Sequence, residues 1–103
     1  MSVYYPIGTI VKVTLDEDML FMISGYLATQ NKGKAFDYMA VPFPLGLMRS
    51  NHYIIFNKEC ITEVVHVGYC DDECKSILDD FDKFVENIKD AVREIVENNN
   101  LLN

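Results

Sequence analysis

The hydrophobic period of this chain changes once, near Asp71, and that change limits the folds open to it. Before it, apolar residues alternate in runs broken by turn residues, the pattern of strands half-buried in a sheet. After it, they fall at 74, 77, 78, 81, 84, 85, 88, 91, 92 and 95. That is a seven-residue repeat with three apolar positions, the wide stripe of a helix facing a core. Strands first and one helix last predict an α+β chain.

The strand region is arranged around Pro6 to Leu27. Ile7, Thr9, Val11, Val13 and Leu15 fall on one side, Lys12 and Thr14 on the other. Met19 to Leu27 is apolar on both sides, as in a strand covered on both faces. Asp16-Glu17-Asp18 joins the two runs as a hairpin. Val11, Val13, Phe21 and Ile23 are expected in the core. The turn Asn31-Lys32-Gly33-Lys34 leads to a third strand from Phe36 to Val41, which Pro42 and Pro44 should stop. Pro44 to Asn51 is then a loop that groups Leu45, Leu47 and Met48. His52 to Phe56 reads as a short fourth strand and Asn57 as a helix N-cap. Lys58 to Ile61 makes one helical turn, and Glu63 to Tyr69 a fifth strand with Val65, Val67 and Tyr69 on one side.

A short fourth strand, a single turn and a fifth strand is the closing arrangement of SH3-like barrels. Residues 1–69 are therefore expected to form five antiparallel strands curling into such a small barrel. A flatter, curled sheet covered by the helix is the alternative. The whole chain, 1–103, reads as a single domain, with the amphipathic helix over 71–98.

The helix length has a consequence. From Cys74 to Glu97 it would span ~36 Å, whereas a body of the first 68 residues is roughly 28 Å across. The stripe through Val85, Ile88, Val92 and Ile95 should then overhang. Exposed apolar stripes mark a partner or a second copy of the chain, so a homodimer through this helix is one expectation. With Leu45 and Met48, these four are the candidate partner-binding residues.

Charge narrows the partner. The net charge is −7, with 5 basic and 6 acidic residues in 1–68 and 4 basic and 10 acidic in 69–103. An acidic chain repels phosphate, so no nucleic acid and no anionic membrane is expected as partner. No window approaches a membrane span, and no secretory leader is legible at the N-terminus. The cysteines are Cys60, Cys70 and Cys74, an odd number, which suits a reduced cytoplasmic protein. Cys70-x-x-x-Cys74 could be half of a zinc site, but only Cys60, His52 and His66 could complete it and none forms a second close pair. Cys74 lies on the apolar stripe as a small core residue, and Cys70 reads as an exposed thiol. Asp16-Glu17-Asp18 lacks the spaced ligands of a calcium loop. No nucleophile motif and no phosphate-binding glycine loop is present. No catalytic residue, cofactor or metal is expected, and the acidic helix residues read as a solvated face.

Five segments in order carry a resemblance: Pro-Ile-Gly-Thr-Ile-Val-Lys-Val at 6–13, Met-Ile-Ser-Gly-Tyr at 22–26, Phe-Asp-Tyr-Met-Ala-Val-Pro-Phe-Pro-Leu-Gly at 36–46, Phe-Asn-Lys-Glu-Cys-Ile at 56–61 and Val-Val-His-Val-Gly-Tyr at 64–69. The chain resembles a family of small Gram-positive proteins, a domain of unknown function, whose members are typically encoded beside LXG-type toxins of the type VII secretion system. The acidic hairpin at 16–18 departs from many relatives, which have glycine and lysine there. The resemblance implies a non-catalytic accessory protein, a chaperone or adaptor, that binds its toxin in the producing cell before export. An immunity protein covering the toxin's active site is the alternative, and an enzyme using His52 or His66 the more distant rival.

Overall fold

The computed structural model describes residues 4–29 and 35–83. Five strands appear: β1 (Ile10–Val13), β2 (Asp16–Thr29), β3 (Ala35–Phe43), β4 (Ile54–Phe56) and β5 (Ile61–His66). A 3-10 turn, Lys58–Cys60, joins β4 to β5, and helix α1 occupies 72–83. All ladders are antiparallel, in the order β4-β3-β2-β1-β5.

The sheet is open. No ladder joins β4 to β5 among the described residues, so the expected barrel is corrected to its alternative, a sheet with the helix as cover. The reason lies in the lengths: β4 has only three residues and pairs only with Tyr38–Ala40, too little strand to reach round to β5. The described helix is also short. Its expected continuation to residue 98, with Val85, Ile88, Val92 and Ile95, lies outside the described residues.

Val11 and Val13, Phe21 and Ile23, Tyr38 and Ala40, and Phe56 form the core face of the sheet, as alternation requires. Leu78 of α1 is buried against it, with Cys74 and Phe81 packed alongside. Asp71 caps the helix, its Oδ1 accepting the Cys74 N–H at 2.9 Å. Alternation fails at the ends of the first run. Ile7 and Leu15 are exposed because each falls in a turn rather than in β1.

Pro42 does not stop β3, which continues to Phe43. It is tolerated because β4 has already ended, leaving β3 unpaired on that side. Asn57 does not cap the 3-10 turn with its side chain. Its Oδ1 instead accepts the Asp37 N–H at 3.1 Å, tying the turn to β3. Cys70 and Cys74 are joined by a disulfide and Cys60 is free, so the reading of three thiols is corrected. An odd count leaves one cysteine over but does not prevent the other two from pairing. Their Cα atoms, 5.2 Å apart, flank the N-cap of α1, where the chain turns into the helix and brings residues four apart together.

A buried threonine closes the N-terminal side. The Thr9 hydroxyl donates to the Pro6 carbonyl at 2.7 Å and accepts the Gly68 N–H at 3.0 Å. A Cβ on Gly68 would lie 2.8 Å from backbone atoms of Gly8 and Thr9, so the two segments can cross only at glycine.

Candidate functional site

The sheet has a second, outer face, and among the described residues apolar side chains remain uncovered there. Strand register places Ile10, Met22 and Val41 in one row, Leu20 beside Phe43, and Met39 beside Ile55. Ile10 and Val41 are buried, whereas Leu20, Met22, Met39 and Ile55 are half-buried. After Phe43 the chain leaves the sheet through a cis Phe43–Pro44 peptide and a turn in which the Gly46 N–H donates to the Pro42 carbonyl at 2.6 Å. Gly46 has φ +72°, which a side chain rarely adopts.

The loop lays Leu47 along the outer face. A shallow cavity of about 490 Å³ results, lined by Ser24, Met39, Val41, Leu47, Ser50 and Tyr53. Phe43, Leu45, Leu47, Met48 and Tyr53 are all exposed, Leu45 at 62% and Met48 at 67%. Five large apolar side chains from one short segment make a platform whose chemistry is apolar contact. Of the partner-binding residues expected from sequence, Leu45 and Met48 belong to this segment. Phe43 was missed because the third strand was expected to stop at Pro42, and Tyr53 because it was read as part of the fourth strand, His52 to Phe56. The signal that would have found Phe43 is parity: it lies two residues beyond Val41 and therefore shares its face.

On the core side the polar groups are tied together. The Tyr4 hydroxyl donates to Asp37 Oδ1 at 2.8 Å, and Asp37 Oδ2 accepts the Lys58 N–H at 2.9 Å. The Tyr5 N–H donates to the Tyr38 hydroxyl at 2.9 Å, and the Tyr26 hydroxyl donates to the Tyr5 carbonyl at 2.5 Å. Burial raises the pKa of all three phenols, and the hydrogen bond to Asp37 raises Tyr4 further. Their rings and Phe81 pack edge-on and tilted around Tyr4 and Tyr26. These groups are held as structural ties. A second cavity, about 310 Å³, lies between this N-terminal segment and α1, lined among others by Tyr5, Val67, Cys70 and Leu78.

The histidines are both exposed, His52 before β4 and His66 at the end of β5. Among the described residues no group of three or more His, Cys, Asp or Glu is placed to hold a metal ion. Nor is any described helix long and apolar enough to cross a membrane.

The described residues thus define an α+β domain with an open antiparallel sheet, one covered face and one apolar face partly exposed. A family model, described as a domain of unknown function (DUF4176), matches residues 4–77, and the chain belongs to that family. The match runs from Tyr4 in the core to Ile77 in α1 and includes the whole platform. No curated protein and no solved structure matches the chain.

Proposed function

We propose that this protein is a non-catalytic accessory protein, a chaperone or adaptor, that binds a cognate LXG-type toxin in the producing cell before type VII secretion. The observation that carries this reading is the platform: Phe43, Leu45, Leu47, Met48 and Tyr53 stand exposed beside a cavity on the sheet. Such a surface binds by burying area, at about 25 cal/mol per Å², and methionine lets it adapt to a partner. The resemblance in the five sequence segments supplies the partner's class.

The test is co-expression with fragments of the toxin encoded beside it, followed by affinity capture and a growth assay. A chaperone or adaptor retains the toxin's export-targeting segment and does not restore growth to cells carrying the active toxin. Capture of the toxic segment together with rescued growth would replace this reading with the immunity protein. Capture of neither fragment would reject both.

A further inference from the structure

The platform carries information about the shape of what it binds. β2 is paired with β1 and β3 at Phe21 and Met22, and β3 with β2 and β4 at Met39 and Ala40; beyond Ala40, where β4 has ended, Pro42 has no N–H to offer and its carbonyl already accepts the Gly46 N–H. A segment lying on this face meets side chains only. An extended strand there would bury its own N–H and C=O groups unpaired, which is costly. A helix satisfies those groups internally and can offer an apolar stripe.

Charge then sets the flank. Leu20 on β2 is opposite Phe43, and the hairpin residues Asp16, Glu17 and Asp18 continue β2 beyond Leu20, all exposed. Asp18 is two residues further, about 7 Å along a strand. That is within the ~10 Å over which charges act at moderate salt, whichever way each side chain points. Among the described residues, two cations come into question. Lys12 lies 3.9 Å from Glu63, and Arg49 is in the loop itself.

Building on the partner-binding reading above, we propose that the platform and the hairpin together receive one amphipathic helix of the partner. Its apolar side lies on Val41, Leu47 and Tyr53, and its flank beside the hairpin is basic.

Two synthetic helices of about 18 residues, ~27 Å long, test this. They share one leucine and methionine stripe and differ only in carrying lysine or glutamate on the flanks. Fluorescence anisotropy with the full chain should show the lysine helix binding at least about tenfold more tightly at low salt, the gap closing as salt rises. Leu47→Asp should abolish binding of both. Asp16→Lys with Asp18→Lys should remove the preference. Glu17→Lys, which leaves the 3.1 Å Asp18 N–H to Asp16 hydrogen bond intact, should weaken it even if the double variant fails to fold. Equal affinity for both helices, binding of neither, or an unchanged preference in Glu17→Lys would overturn the inference. If the toxin is captured but the helices are not distinguished, the helix inference falls and the accessory role stands. If the lysine helix binds as stated and the toxin does not, the reverse holds.

Discussion

Asp37 shows how much one side chain can hold. It is buried in β3 yet serves the N-terminal segment through Tyr4 and the 3-10 turn through Lys58. Asp37→Ala takes the acceptor from both donors and should cost about 1–3 kcal/mol, read as a lower midpoint in urea denaturation. Asp37→Asn keeps an acceptor oxygen and should lose less. The tyrosines give a pH signature. Their ordinary value is 10.0, and in the fold all three lie higher. Above that value the unfolded chain gives up protons that the folded chain keeps, so stability is complete at neutral pH and drains as pH rises beyond it. Urea midpoints at about pH 8 and about pH 11 should therefore differ, and Tyr4→Phe should narrow the difference. Gly68→Ala should cost about 1–3 kcal/mol by pressing a methyl group into the backbone of residues 8 and 9. Little of this was legible in the sequence. A buried Asp and a crossing glycine depend on partners 33 and 59 residues away, which no local pattern encodes.

Elements were more legible than their closure. The alternation through Val11 and Val13, and Phe21 and Ile23, placed the first two strands and their core face because a half-buried strand must alternate. Phe21→Ala should cost about 3–5 kcal/mol and lower Tm sharply; wild-type melting would mean that Phe21 is not in the core. The extent of β3 was misread because Pro42 was judged by its missing N–H, not by whether a neighbour needed it. Closure of the barrel was misread because it depends on how far β4 extends, and three residues carry too short a pattern to show this. The disulfide was missed because the parity of a count is not a rule about pairs. Under non-reducing conditions thiol labelling should find Cys60 alone. After reduction and unfolding it should find Cys60, Cys70 and Cys74. Three labels without reductant would show that the bridge is absent.

At the scale of the molecule, a sheet with one face closed by α1 and the other partly bare has a built-in direction. On the proposed reading, core substitutions should act on folding and exposed substitutions at the outer loop on binding. Leu45 and Met48 were legible as a pair from sequence alone, since apolar residues crowded into a proline-bounded loop have little core to enter. The sheet residues beneath them were not, because they belong to the platform only through register. The two positions should also separate folding from the proposed recognition: replacing exposed residues usually changes stability by no more than ~0.5 kcal/mol. Removing two side chains from a buried interface should instead cost about 3 kcal/mol, roughly a hundredfold in Kd. The most direct measurement is isothermal titration of the purified cognate toxin into the wild-type chain and into Leu45→Asp with Met48→Asp, with Tm recorded for both. The account predicts saturable binding by the wild type, a loss of about a hundredfold or more in the variant, and matching Tm values. Equal affinity in a folded variant, or no binding by the wild type, would contradict it.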